Sequence, residues 1–474
     1  MNINKKVLSL ITKVNTRLHR GQLWIVGGYV RDLLLDKLTK DIDFVTGGNT
    51  KNIAKTFAAA NNGSFVVLDD FFKIYRVIIG DEIYDFSKMQ GRNITEDLAR
   101  RDFTINAMAL PVTGSRFPAA ASVIDPFHGQ ADIKNKIIRS ISENNLLEDP
   151  LRLLRAYRFA GQLNFKIEQK TEKSIRKYSK YLKNVSFERI QYELFLILEL
   201  KDSYSVVKKI YKTGLLKEII PELVSTRNTA RCYYPKMGLL GHSFDTLKIL
   251  EQFYNTNFKN ISAKHSKQIS THLEEKISKT VKRKTLLKLA ALLHDIGKPK
   301  SAKKIEGRLR FFQHEERGAE IIDSVGKHLK LSNSKMAYLK KLTRQHMRLG
   351  NLTSAEKVTD KAVWRFFRDL ESDLIDVIIL SVSDAFTYPH GKTRTLHKTV
   401  ANKLLNGFYR RKEKIIPEKL INGNDVMKIL KIPAGPLVGK ILKELEEAQA
   451  LKKIKTKNEA ESFIKRFTKS NKIV

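Results

Sequence analysis

Asp41 and Asp43 lie two residues apart in the run DIDF. Side chains on a strand alternate, so both carboxylates face one way while Ile42 and Phe44 point into a core. Neighbouring carboxylates repel each other, a cost that a cation between them removes. Upstream, Gly27 and Gly28 follow the apolar run LWIV and precede YVRDLLL, whose Val30, Leu33 and Leu34 have helical spacing. Glycines let the backbone come close to a bulky group. Strand, glycine turn, helix and acidic strand, in that order, suit an anionic, metal-bound ligand such as a triphosphate with Mg²⁺. The glycine amides and Arg31 would hold phosphates and the aspartates would hold metal. Taken alone, these residues read equally well as a glycine turn and a solvated acidic strand end.

Two more stretches could serve an anion. EDLARRDFTINAMAL (Glu96 to Leu110) reads as a helix carrying Arg100, Arg101, Asp102 and Asn106. Two arginines beside an aspartate can bind phosphate and ribose together, or form surface pairs. In EDPLRLLRAYRFA (Glu148 to Ala160), Arg152, Arg155 and Arg158 recur at every third residue beside Asp149 and stay near one side of a helix. A second possible centre is His294-Asp295, set in the apolar run LLKLAALLHDIG. Such a pair is costly to bury unless it is liganded. His242, His314, His346 and Asp384 stand on other helical stretches and could converge with it on a divalent metal.

The elements that must position these residues follow from periodicity. A strand is expected near 23–26, a helix near 29–36, a strand near 41–46 and a helix near 50–61. The runs SFVVLD, KIYRVII and EIYDF follow as strands, the last two joined by the tight turn IGDE. This predicts a mixed sheet with helices on one side. From about residue 140 the pattern is almost wholly helical. The stretch before Gly21 reads as an amphipathic helix without a signal-peptide cleavage pattern. Residues 256–285 read as a polar, basic insertion with solvated His265 and His272.

The 474 residues suffice for two to four domains, and no apolar run is long enough to span a membrane. The single cysteine, Cys232, excludes an internal disulfide framework and fits a reducing, cytoplasmic compartment. Net charge is +38, unevenly spread: residues 1–140 carry 20 Lys and Arg against 14 Asp and Glu, and the remainder carries +32. A nearly balanced head on a basic body points to chemistry in the head and a polyanion along the body, unless lysine merely solvates the surface.

The ordered set GGYVRDLLL…DIDF, RRDFTINA, DPFHGQADI, EDPLRLLRAYRF and VSFERIQYEL resembles the class II tRNA nucleotidyltransferase and bacterial poly(A) polymerase family. LINGNDVMKILKIPAGPLVGKILKEL (Leu420 to Leu445) resembles the tail segment of its bacterial members. The resemblance implies an α+β protein. A small mixed-sheet nucleotidyltransferase head (1–140) would precede an all-helical neck (141–235), an HD-type body (236–404) and a tRNA-binding tail (405–474). It further implies that Gly27, Gly28 and Arg31 meet the incoming nucleotide, and that Asp41 and Asp43 bind Mg²⁺ with Asp85 of EIYDF as third carboxylate. Arg101, with Asp102 and Asn106, would contact the triphosphate or sugar. Asp149 and Arg152 would read the base, with Arg155 and Arg158 close by. The expected reaction joins C or A from CTP or ATP to the tRNA 3′ end with release of pyrophosphate. A poly(A) polymerase or A-adding enzyme on the same fold is the alternative.

The His/Asp set resembles the HD phosphohydrolase superfamily. That likeness makes His242, His294, Asp295 and Asp384 primary ligands of a divalent metal and His314 and His346 further ligands or substrate contacts. An HD fold kept only as scaffold, or an HD phosphohydrolase with an inactive head, are the competing readings. One more feature bears on the product. CCA-adding members carry a flexible loop between the third-carboxylate strand and the RRDFTINA segment, whereas here Phe86 to Arg101 must also hold a helix start, with Thr95 as candidate cap. About nine residues of connection remain, too few for a long lever. A shortened loop is what CC-adding members show, so CC addition beside a separate A-adding partner is expected.

Overall fold

The computed structural model describes residues 10, 23–37, 39–112, 123–356, 358–389, 391–411 and 419–470. The expected helix before Gly21 lies outside the described residues. The chain forms two compact units that divide between Ile219 and Ile220.

The first unit opens with β1 (Leu23–Val26), α1 (Gly28–Leu34), β2 (Asp41–Thr46), α2 (Thr50–Ala60), β3 (Ser64–Asp69), β4 (Ile74–Ile79) and β5 (Glu82–Lys88). After α3 (Ile94–Ala99) comes the short β6 (Ala109–Pro111). The sheet order is β3-β4-β5-β2-β1-β6. β2 and β5 are parallel and the other neighbours antiparallel, so the sheet is mixed, as periodicity predicts. Alternation decides its two faces. Phe44, Tyr84 and Phe86 pack on Phe57 of α2, with ring centroids 4.8 Å apart for Phe44–Phe86 and 5.1 Å for Phe57–Tyr84. The opposite face carries Asp43, Asp85 and Arg76, which are register partners across β2, β5 and β4.

The segment from Glu96 to Leu110 is not one helix. Asn93, not Thr95, caps α3, its side chain accepting the Glu96 N–H at 3.0 Å. α3 ends at Ala99, because Asp102 offers the chain other partners: its carboxylate accepts the Phe103 N–H (2.8 Å) and the Asn106 amide (3.0 Å). Phe103 is thereby turned into the core. The connection from β5 to α3 shrinks to residues 89–93.

Helices dominate thereafter. α4 (Glu143–Glu148), α5 (Leu151–Leu163) and α6 (Phe187–Glu199) complete the first unit's site. α5 buries Leu151, Leu153, Leu154, Ala156, Tyr157 and Phe159, leaving its arginines on the flank.

In the second unit α7 (Gly238–Asn255), α8 (Ser266–Glu274), α9 (Arg283–Leu293), α10 (His314–His328), α11 (Asn333–Gln345) and α12 (Leu374–Ala385) surround an apolar core. The insertion is not the solvated stretch its polarity suggests. α8 packs inward and buries both histidines: His272 Nε2 lies 2.7 Å from Asp376, and His265 Nε2 2.8 Å from Asn406. Burial stands because each ring has a polar partner. No described helix is long and apolar enough to cross a membrane.

Candidate active site and a second His/Asp centre

The end of β1, the start of α1, the carboxylate face of β2 and the flank of α5 enclose a cavity of about 430 Å³. Gly27, Gly28, Arg31, Asp43, Arg101 and Asp102 line it, joined by Asn106, Asp149, Arg152, Arg155 and Phe159. Gly27 has φ +71°, and a Cβ there would lie 3.0 Å from Arg101 Nη1 and 3.4 Å from Asp43 Oδ2. The turn therefore needs glycine both for its backbone and to keep the carboxylate open.

Side chains hold one another in series across this cavity. Buried Arg31 donates to Asp32 (2.8 Å) and Asn106 (2.7 Å). Asn106 donates to Asp102, whose other oxygen takes Arg155 Nη2 at 2.8 Å. Burial pushes the Asp102 carboxyl up, but Arg155 and the hydrogen bonds outweigh it and hold it below its ordinary value. Arg31, Arg155 and Arg158 all lie over the Phe159 ring, at 5.1, 5.3 and 4.1 Å from its centroid. Guanidiniums fixed this way meet an anion without losing much freedom.

Asp41 and Asp43 are exposed on one face of β2. The Asp43 carboxyl sits above its ordinary value, chiefly through desolvation among its neighbours; Arg101 opposes this, while Asp85 and Asp41 add to it. Two crowded oxygen donors of this kind fit a hard divalent cation. Asp85 stands beside Asp43 in register, but both its oxygens accept from Arg76, at 2.7 Å each. Asp149 accepts from Arg189 at 2.8 Å, and Arg152 Nη1 donates to the Asn145 carbonyl at 2.9 Å. Arg158 does not line the cavity; it pairs with buried Glu193 at 2.6 Å.

Sequence reasoning passed over Arg76, Arg189, Glu193 and Phe159. Arg189 and Glu193 lay inside the quoted VSFERIQYEL and Phe159 inside the arginine run. Arg76 had a signal: counting outward from the two-residue turn Gly80-Asp81 places it opposite Asp85.

The second unit brings together all six expected His and Asp residues. His242 on α7, His294 at the end of α9 and Asp384 on α12 form one trio of donors, and Asp295, His314 and His346 form another. Asp295 stands between them. Its Oδ2 is 3.4 Å from His242 and 3.3 Å from His294, and its Oδ1 is 3.2 Å from His314 and 3.4 Å from His346. It also pairs with Lys298. Nε2 of His242 and His294 and Oδ1 of Asp295 and Asp384 are buried without a hydrogen-bond partner. Four such orphaned atoms aimed at one another fit divalent metal. Burial lowers the affinity of His242 for a proton, but Asp295 and Asp384 reverse this and raise it to about 9. At His346 burial, joined by the neighbouring His294 and His314, outweighs Asp295 and lowers its affinity for a proton. A cavity of about 550 Å³ opens over the cluster, with Tyr233, Tyr234, Phe311, Phe312 and Tyr388 in its walls.

Along the chain, residues 23–139 match the poly(A) polymerase head domain, and 164–226 match the RNA- and SrmB-binding site of polymerase A. Residues 239–388 match the HD domain and 395–464 match tRNA nucleotidyltransferase domain 2. An A-adding tRNA nucleotidyltransferase of Deinococcus radiodurans is 30% identical, covering 94% of this chain and 95% of its own length. A CC-adding tRNA nucleotidyltransferase of Geobacter sulfurreducens is 28% identical over 93% of this chain and 91% of its own. Among solved structures, the Thermotoga maritima CCA-adding enzyme complexed with tRNA shares the fold at a TM-score of 0.63 and 22% identity, covering 98% of this chain and 95% of that one.

Proposed function

This chain belongs to the tRNA nucleotidyltransferase family, and on that premise we propose that it adds two C residues to tRNA ends and leaves the terminal A to a separate enzyme. The observation that carries the reading is the connection of residues 89–93 between β5 and α3. Five residues tied at one end by the Asn93 cap, and in the middle by the Gln90 N–H on Asp97 (2.8 Å), cannot swing as a lever that reshapes the pocket for adenine. One time course on tRNA lacking CCA, with CTP and ATP both present, tests it. Product should accumulate at CC. Prompt completion to CCA or a long A tract would overturn the reading in favour of a CCA-adding or poly(A) enzyme, and no extension there, with A added in a parallel course on tRNA ending in CC, would overturn it in favour of an A-adding one.

The chemistry is in-line displacement at the α-phosphorus. The RNA 3′-oxygen forms the new bond to phosphorus, the bond to the bridging oxygen of pyrophosphate breaks, and the hydroxyl proton leaves to solvent. Arg31 and Arg101 hold the triphosphate, Arg31 preset by Asn106 and Asp32. Asp41 and Asp43 would hold the metal, with Asp85 beside them as third carboxylate by position. Both Asp85 oxygens accept from Arg76, so Asp85 would contribute its negative charge to the pair with its orientation set by that arginine. Bound Mg²⁺ supplies charge neutralisation and acidifies the 3′-hydroxyl. The chain itself contributes positioning and fixed charge.

Base choice follows from hydrogen bonds. Cytosine and adenine each offer an exocyclic N–H donor beside a ring-nitrogen acceptor. Asp149, fixed by Arg189, accepts from the first, and Arg152, fixed by the Asn145 carbonyl, donates to the second. Uracil and guanine invert the pattern, at about 1–3 kcal/mol per mismatched contact. Arg152→Ala should therefore cut discrimination against UTP and GTP by roughly tenfold or more while triphosphate affinity changes little. Unchanged discrimination in single-nucleotide incorporation assays would remove the side-chain template.

The orphaned donors of the His/Asp centre favour an additional activity, metal-dependent hydrolysis of phosphate esters such as 2′,3′-cyclic phosphate ends, with His242, His294, Asp295, His314, His346 and Asp384 as the holding set. A divalent metal held there would supply Lewis-acid polarisation and acidify water for that hydrolysis.

A further inference from the structure

A second cavity, of about 350 Å³, adjoins the cleft of the first unit and shares Arg101 and Arg152 with it. Phe72, Ser87, Lys88 and Arg100 are among its other lining residues. Its floor is the carboxylate face of the sheet. Ser87 follows Asp85 by two residues on β5, so it shares that face, and Ile74 stands opposite Ser87 as Arg76 stands opposite Asp85. The cavity thus begins one residue pair, about 7 Å, from the Asp43–Asp85 pair.

Its chemistry is that of a single-stranded nucleic acid site. Phe72 is 59% exposed and Phe71 86%, on the turn between β3 and β4. Large exposed rings cost hydration unless something covers them. This turn is not loose: the Phe72 N–H donates to Asp69 at 2.9 Å, and the two rings meet edge to face at 5.0 Å. Four cations line the cavity against two carboxylates, Asp97 and Glu148, and Asp97 is buried and engaged by Arg101. Lys88 and Arg100 are exposed, with no ion-pair partner among the described residues. An aromatic face beside uncommitted cations stacks a base and meets its phosphate.

We propose that this cavity holds the 3′-terminal nucleotide of the RNA being extended. Its base stacks on Phe72, its 5′ phosphate meets Lys88 and Arg100, and its 3′-hydroxyl turns toward Asp41 and Asp43. Arg101 and Arg152, common to both cavities, then stand between the growing end and the incoming nucleotide. The inference rests on the nucleotidyl-transfer reading above and adds the place of the second substrate.

The test measures KM for RNA and for CTP separately, on tRNA lacking CCA. Phe72→Ala should raise the RNA KM roughly 5- to 100-fold and leave the CTP KM unchanged, while Phe72→Trp retains wild-type values. A primer with an abasic 3′-terminal nucleotide should cost the wild type the same factor, and should cost Phe72→Ala nothing further, because both remove the same stack. An unchanged RNA KM in Phe72→Ala overturns the inference, and so does an abasic penalty that adds in full to that of the variant. No extension by the wild type of this RNA or of tRNA ending in CC, with CTP and ATP both supplied, would overturn the nucleotidyl-transfer reading and this inference with it.

Discussion

Replacing Asp41 or Asp43 with alanine should abolish nucleotide addition, by roughly 10³-fold or more, while RNA binding persists. The two carboxylates share one exposed face of β2, and the Asp43 carboxyl is raised through crowding by Asp85 and Asp41 as well as by desolvation. A fold has no stability reason to keep such a pair, so the strand without it should be no less stable. Affinity for RNA is expected instead from phosphate contacts over the remainder of the chain, which carries +32 of the net +38. The measurement pairs single-turnover incorporation of labelled CTP with a salt-dependent RNA binding curve. Near-normal incorporation by either variant would remove these residues from the active site. A binding loss as large as the catalytic loss would mean that the carboxylates organise the fold rather than the metal.

The second large effect is expected at the His/Asp centre. Asp295 faces both donor trios, one oxygen toward His242 and His294 and the other toward His314 and His346. Asp295→Asn, close in volume but weak as a ligand, should therefore empty both trios and eliminate metal-dependent phosphohydrolysis. His294→Ala touches one trio and should spare part of the bound metal. Nucleotide addition should stay nearly unchanged in both, since the two sites share no residue and lie in different compact units. Metal content by mass spectrometry after loading with Mn²⁺, together with hydrolysis of a 2′,3′-cyclic nucleotide, checks this. Wild-type metal content in Asp295→Asn would overturn the assignment, and equal loss of both activities would make the HD region a scaffold on which the head depends.

Some of the site was legible because local spacing carries it. Period-two alternation put Asp41 and Asp43 on one face of β2, and LWIV, YVRDLLL and the three strand runs appear as β1, α1 and β3 to β5. Two readings failed for one cause. His265 and His272 of the polar stretch 256–285 turn inward, and RRDFTINA leaves its helix, because partners distant in sequence outbid local propensity. Asp376 and Asn406 take the two histidines, and Asp102 ties Phe103, Asn106 and Arg155 together.

By itself, then, the sequence determined the order of the elements, the residue types in each site and the excess of positive charge, all of which depend on neighbours in the chain. Only the tertiary structure decided which charges are spent and which remain free. Arg158 is consumed by Glu193 and Asp85 by Arg76, whereas Arg152 reaches two cavities and Lys88 and Arg100 stay uncommitted. It also decided that Asp295 faces both trios. Pairing energies depend on separation and burial, and elements far apart in the chain acquire both only when they pack together.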